Sequence, residues 1–588
     1  MASTGLRWAL AWVLLLAACD GDASPDAAVG SDAAVDASTP PPDAPPRPMP
    51  TCEALPAVSP PACGSGPSAL GSLLPGPGDP GYDAALDAEA RRRDRQFHAI
   101  HALHTGVNTE VRVALEADRE AVRTFLLETD GWDLEAHAGR AVHDMVEWRK
   151  VAGAYGGAGA VADAFRYATL RDSGAACEDV DRAREHVLAA IEAHHRATAI
   201  TGVEGVIARG FIRTDVPGAA SIETVPLFDA SGAPLPAEKT NGTWREDNSA
   251  EGLYPEYIWE DSCSRDMLIG WVLGMGALWE VASADPTIDA ALLDRMADDA
   301  RAIGHSLMQV GEDGYDLEIH DADGRLTFHA YLHENAVDRV YLPGRGVNGQ
   351  HAAMALGIIA VLARVSGDAE LARYLHEELI ERRALHEIVR ENATLIDAGT
   401  RSNFSNYNMS FTGLWLAQRY LCDDLARSAV AEGTSALYGA EGAERQPSSQ
   451  AQTFYDFVFE AAHGAATVTR PLSAVSEPAY ARGLASLTGF PAAPFFEESV
   501  INCDEAEIAA MTCTAIDGET TLTLLGEVGR GDELVAEEAL PMALRPPSNY
   551  HWRSDPYRVN READGTSLFP GVDFRVAYWM GRHLRRGE

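Results

Sequence analysis

Four stretches of the chain gather carboxylates, amides, imidazoles and aromatic rings densely enough for acid–base chemistry on a polyol. The first, Trp259-Glu260-Asp261-Ser262-Cys263-Ser264-Arg265-Asp266, offers three acids and an arginine within about two helical turns. The second runs from His333, Glu334, Asp338 and Arg339 to Arg345, Asn348 and His351. Asn403, Asn406, Tyr407 and Asn408 form the third, and Tyr550-His551-Trp552-Arg553-Ser554-Asp555-Pro556-Tyr557 the fourth. Sugar chemistry needs these types: carboxylates to donate and accept protons, amides for hydroxyls, aromatic faces for the apolar sides of pyranose rings. Arginine adds a fork for uronate carboxylates or sulfates.

On that reasoning Asp266 and Asp261 are the first candidates for acid and base, with Glu334 behind them. His351, polar at the opening of an apolar helix, is a candidate base. Arg209, Glu260, Arg265, Arg345, Asn348, Asn406, Tyr407, Trp552, Arg553 and Tyr557 are expected to bind substrate. Each also has a plainer reading. Asp261 and Asp266 can cap a helix and pair with Arg265; His351 can be a hydrogen-bonded core histidine; aromatic residues near a chain end usually pack on the core.

Other chemistries find little support. His98, His101 and His104 do not share one helical face, and no CxxC, HExxH or His/Cys zinc spacing occurs, so neither a metal nor a cofactor is expected. Gly202 to Gly210 is glycine-rich but lacks the phosphate-loop pattern and reads as a tight turn, with Arg209 and Arg213 pointed at the cleft. No GxSxG elbow is present.

The elements that must position these residues are helices of two kinds. Ser264 to Val281 is apolar almost all round, and the helix after it places Leu292, Met296, Ala300, Ile303 and Leu307 on one stripe. The couple recurs in His351 to Val365, followed after Gly367-Asp368 by Leu371, Leu375 and Leu379. Ala160 to Leu170, Tyr407 to Leu421, Ala451 to Ala462 and Asp573 to Leu584 are further inner helices, and Cys177 to Thr198 an outer one. About six hairpins of this kind imply two concentric helical layers.

That order resembles the (α/α)6 toroid of six-hairpin glycosidases and of related sugar epimerases and polysaccharide lyases. The resemblance covers most of the folded body as a pattern and implies a mainly α fold, a single domain over 83–588. It implies parallel inner helices whose N-termini meet at one end of the barrel, where the polar stretches then converge. The implied activity is glycoside hydrolysis by paired carboxylates; a uronate lyase or epimerase using His351 and Tyr407 is the alternative. A non-catalytic protein that binds glycan or another envelope component is the second alternative.

The address is legible at the N-terminus. Arg7 precedes an apolar run of about 11 residues, too short for a bilayer span but suited to a signal peptide over 1–18. Leu16-Ala17-Ala18-Cys19 resembles the lipobox of bacterial lipoproteins, which implies lipidation of Cys19 and a membrane partner at the cell envelope. Residues 19–82, rich in Ala, Asp, Pro, Ser and Gly, read as a disordered tether. Cys52 and Cys63, and Cys503 and Cys513, are close enough in sequence to close short loops. With 47 Lys+Arg against 88 Asp+Glu, the 588-residue chain carries a net charge of −41. That balance argues against a nucleic-acid partner.

Overall fold

The computed structural model describes residues 47–585 except 152, 220, 230, 232, 234, 236–241, 342, 345, 440–444, 466–478 and 546–554. Cys19, Arg345, Trp552 and Arg553 therefore lie outside the described residues. The chain is mainly α-helical, with four small antiparallel sheets among the described residues.

The helices, numbered along the chain, fall into two kinds. Six are buried on nearly every side: α4 (Gly153–Ser173), α6 (Arg265–Ser283), α8 (Gly349–Ser366), α11 (Phe404–Tyr420), α13 (Thr453–Ala465) and α16 (Val572–His583). A helix that is apolar all round must be covered all round. In α8 every residue from Gly349 to Leu362 is buried, so a helix apolar and long enough to cross a membrane instead lies within the body. These six pack in succession, α4 on α6, α6 on α8, α8 on α11, α11 on α13, α13 on α16 and α16 on α4.

The helices with one buried stripe are α1 (Ala84–Gln96), α5 (Cys177–Ala199), α7 (Ala290–Met308), α9 (Ala369–Arg373), α10 (Leu385–Asn392), α12 (Asp424–Tyr438) and α14 (Ala479–Thr488). In α7 the buried stripe includes Met296, Ala300, Ile303 and Leu307, the spacing of one helical face. Three short or peripheral helices, α2 (Glu116–Glu128), α3 (Leu134–Ala138) and α15 (Glu505–Ala510), complete the set.

Glycines let the buried helices approach closely. A Cβ on Gly157 would lie 1.6 Å from the carbonyl oxygen of Gly270, so α4 and α6 touch backbone to backbone there. Helix direction follows from such pairings. Gly157 meets Gly270 early in both helices, while Tyr167 and Arg171 of α4 reach Asp285 just past the end of α6. Glu280 of α6 bonds Arg419 and Tyr420 of α11 and His583 of α16. Gly413 of α11 packs on Ala353 of α8, and Gly357 on Leu416. Thus α4, α6, α8, α11 and α16 run the same way, with their C-terminal ends together.

Those C-terminal ends carry the largest departure from expectation. Residues 47–82 read as loose tether by composition, yet they lie against the body as a strap. The strap binds Cys52 to Cys422, Glu53 to Arg364, Val58 to Ala284, Cys63 to Cys177, Ser68 to Ser173 and Leu74 to Gly581. In that order it visits the ends of α11, α8 and α6, the start of α5, and the ends of α4 and α16. The last carbonyls of a helix have no partner within it, and backbone N–H groups of the strap supply one, as in Val58 to Ala284 (2.9 Å) and Leu74 to Gly581 (2.7 Å).

At one end of the strap Arg47 sits among His376, Glu381 and Asp423, a group whose ligand atoms lie close enough to hold a cation. Its guanidinium, 2.5 Å from Glu381 and 3.1 Å from Asp423, supplies the positive charge. Cys52 and Cys63 therefore do not pair with each other; only Cys503–Cys513 closes the short loop expected, and Cys263 is a buried free thiol.

The Cys52–Cys422 bridge spans 370 residues. A cross-link over so long a loop removes much chain entropy from the unfolded state. Cys422→Ser is expected to lower stability by about 2–5 kcal/mol, measured by denaturant unfolding of oxidised protein; a loss too small to resolve would show that the strap is held without it.

A second prediction concerns α13. Asp456 is buried there, its carboxylate accepting the Tyr438 hydroxyl at 2.5 Å, and burial pushes its pKa up to about 7. The folded chain then binds more protons than the unfolded one between pH of about 4 and 7, so stability falls as pH rises through that window. Asp456→Asn, neutral throughout, is expected to flatten that part of the profile in melts run from pH 4 to 7. An unchanged slope would refute the assignment.

Candidate functional site

Short strands lead toward the N-terminal ends of several buried helices. β5 (Tyr257–Glu260) lies between β3 (Gly210–Arg213) and β4 (Trp244–Glu246) and leads into α6; β2 (Glu147–Val151) leads toward α4. β2 belongs to a sheet in which β1 (Thr109–Arg112) and β12 (Arg561–Leu568) lie between it and β8 (Phe496–Val500). The hairpin of β6 (Glu318–His320) and β7 (Leu326–Tyr331) precedes α8.

At the start of α6 a polar relay converges. Glu260 is buried, with Lys150 Nζ 3.2 Å and Arg209 Nε 3.7 Å from its carboxylate. Arg209 donates to Ser264 Oγ at 2.9 Å, and Ser264 donates to Asp266 at 2.5 Å. Asp266 and Arg265 are half-buried. Burial, and after it the charge of Arg265, holds two imidazoles, His329 on β7 and His351 on α8, below the usual histidine range. Arg209, Glu260, Arg265, Asp266 and His351 are thus brought to one place.

His351 is held in one tautomer. Asn348 caps α8, its Oδ1 accepting the backbone N–H groups of Gln350 (2.9 Å) and His351 (3.3 Å). The same oxygen lies 3.3 Å from His351 Nδ1; an amide oxygen only accepts, so the ring proton is on Nδ1 and Nε2 carries a lone pair. Among the described residues Nε2 has no hydrogen-bond partner.

Two predicted carboxylates are engaged elsewhere. Asp261 is buried against Arg245 (2.7 Å), which also bonds Asp323, and it accepts the backbone N–H groups of Ser262 and Ala322. Burial pushes its carboxyl pKa up, opposed by those contacts. It ties β4 and β5 to the turn between β6 and β7 and is a structural hub, not an accessible base. Glu334 is clamped by both arms of the Arg383 guanidinium, which also holds Asp316. These arginines lie far from their acids in sequence, so local spacing gave no sign of them.

The third stretch stands apart. Asn406 is half-buried in the first turn of α11, and Tyr407 is buried beside Phe404, its hydroxyl pKa raised by burial. Tyr557 is 3% exposed and stacked under Arg445, 3.6 Å from its ring, so it packs on the core and offers no free stacking face. Among the described residues no hydrogen bond or ring contact joins Tyr407 to His351.

Two members of the site escaped the sequence reading. Lys150 is one of only two lysines in the chain, a rarity that could have marked it. His329 sits in β7 with φ +55°, a left-handed conformation that a non-glycine side chain holds only when its surroundings impose it. Nothing in its local sequence signals that strain.

No protein-family model, curated protein or solved structure matches this chain.

Proposed function

We propose that the protein is an exported lipoprotein, anchored through Cys19, whose buried helices form an (α/α)6 toroid. Its N-terminal mouth acts on a uronate-containing glycan. The succession of contacts from α4 round to α16 and back to α4 supports the toroid. A polysaccharide-lyase-like reaction fits the mouth better than hydrolysis by paired carboxylates, because Asp261, Glu260 and Glu334 are each held by a cation.

The observation that carries this reading is the geometry of His351, its ring proton set by Asn348 Oδ1 and its Nε2 without a partner among the described residues. Arg265 would hold the uronate carboxylate and His351 Nε2 would remove the proton from the adjacent C5. The electron pair left at C5 forms the C4=C5 double bond as the C4–O bond breaks, and the leaving oxygen takes a proton from water. His351 is 2% exposed, so substrate must displace the side chains that cover it.

The test uses the chain from Arg47 onward, strap included, with uronate and neutral polysaccharides. Ultraviolet absorbance of a conjugated C4=C5 carboxylate supports the reading. New reducing ends without that absorbance would return the site to hydrolysis with Asp266 as the acid or base. Saturable binding without any product would make it a recognition protein. For the anchor, Cys19→Ala is expected to move the chain from the membrane fraction to the soluble fraction; unchanged fractionation would rule out lipid attachment there.

A further inference from the structure

At the end of the strap Arg47 satisfies only part of the group it sits in. His376 and Glu381 lie on the π-helical stretch Tyr374–Arg382 that continues α9. Residues five apart face different ways on an α-helix, whereas the i to i+5 bonding of a π-helix brings them onto one face, so the imidazole and the carboxylate stand together. Asp423 reaches the same place from the cap of α12, where its Oδ1 accepts the backbone N–H of Ala426 at 2.9 Å. One ligand atom from each of the three lies within 4.8 Å of the other two.

Arg47 neutralises the two acids. Its Nε donates to Glu381 at 2.6 Å, its Nη2 lies 2.5 Å from Glu381 Oε1 and 3.1 Å from Asp423 Oδ2, and its Nη1 lies 3.3 Å from Asp423 Oδ1. The imidazole gains nothing from that guanidinium. His376 Nε2 lies 3.2 Å from the backbone carbonyl of Arg47. A carbonyl only accepts, so Nε2 carries the ring proton and Nδ1 the lone pair. Nδ1 faces Asp423 Oδ2 at 3.8 Å, acceptor to acceptor, and has no hydrogen-bond partner among the described residues. His376 is 3% exposed, so this lone pair is buried as well as unused, which is costly.

A metal ion would engage all three groups where the guanidinium engages two. Two ligands of a tetrahedral zinc, each about 2.0–2.2 Å from the ion, lie about 3.4 Å apart, so Nδ1 and Oδ2 need approach by only a few tenths of an ångström. The bond from His376 Nε2 to a backbone carbonyl is the outer contact that metal-bound histidines usually make. One imidazole with two carboxylates suits zinc better than magnesium or calcium, which prefer oxygen alone. We infer that His376 Nδ1, Glu381 and Asp423 form a site for zinc or a similar divalent transition-metal ion, with Arg47 as its resident competitor. The Arg47 side chain is 35% exposed, so it can swing to solvent while its carbonyl stays on His376 Nε2. No zinc spacing marks the site in the sequence, because the ligands are spread over 376–423 and only the π-helical stretch aligns the first two. The inference does not depend on the reaction proposed for the mouth.

The test is calorimetric titration with zinc of the chain from Asp20 onward, first stripped of metal with a chelator; this keeps Arg47 away from the terminal charge. Saturable binding is expected. Arg47→Ala, which removes the competing charge-assisted bonds, is expected to tighten it about tenfold. His376→Gln, which removes a ligand, is expected to weaken it by about a hundredfold or more, beyond the usual cost of an outer-contact change. Asp423→Asn should also weaken it, and because asparagine still caps α12 this variant serves if His376→Gln does not fold. Excess magnesium should not compete. No saturable zinc binding by the unaltered chain, an affinity indifferent to Arg47→Ala and to loss of either ligand, or equal competition by magnesium would overturn the inference.

Discussion

Arg575→Met is expected to destabilise the fold by about 3–5 kcal/mol, because it strands two buried carboxylates. Arg575, 0% exposed on α16, bonds Asp94 at 2.7 Å and Asp163 at 2.5 Å and lies 3.9 Å over the Phe97 ring. Both acids are themselves buried. Arg166 and Trp579 also reach Asp94, but among the described residues Asp163 would keep only His98, a neutral donor. The penalty should therefore come mostly from Asp163, and adding Asp163→Asn to Arg575→Met should recover part of it. Denaturant unfolding of the two variants and the parent checks this. A single-variant loss below about 1 kcal/mol, the range of an exposed pair, would show that the buried charges relax to water.

His351→Gln is expected to lower kcat on a uronate glycan by about 10²–10⁴-fold, the usual contribution of a positioned general base. KM should change little, since Arg265 is the group assigned to the carboxylate. Glutamine keeps polarity and approximate size but has no basic lone pair. Initial rates of the ultraviolet signal measure the effect, with Asp266→Asn alongside. Activity retained in His351→Gln and abolished in Asp266→Asn would move the base to the carboxylate and end the lyase reading.

Much of the helical layout was legible because burial on all sides leaves a continuous apolar run. The expected helices Ser264 to Val281 and His351 to Val365 correspond to α6 (Arg265–Ser283) and α8 (Gly349–Ser366). The start of α4 was missed by seven residues, since Gly156, Gly157 and Gly159 look like a breaker, whereas Gly157 meets the Gly270 backbone and the other two make room for the Trp271 and Phe97 rings. The cap of α7 is Asp289, which accepts from Ala291 N, and not Asp285 beside Pro286. Asp285 instead anchors Tyr167 and Arg171.

The site was legible by residue type and not by pairing. The relay from Arg209 to Asp266 and the Asn348–His351 contact involve residues that the spacing had marked. Arg245 and Arg383, which occupy Asp261 and Glu334, come from other elements, and an ion pair across the fold leaves no local pattern. The strap was misread for a related reason. Its composition cannot build a core, but its disulfides and backbone bonds to helix ends do not require one.

That strap also sets how a membrane-held copy would face. Cys19 precedes Arg47 by 28 residues, a leash of at most roughly 95 Å, and the leash joins the side where the helix C-termini gather. In a lipidated chain the point of attachment would lie at that base, and Arg265 and His351, at the opposite ends of the buried helices, would lie on the side away from it. Traction on such an anchor would enter the body at Arg47, bonded to Glu381 and Asp423, and at the Cys52–Cys422 bond at the end of α11, all on the side away from Arg265 and His351.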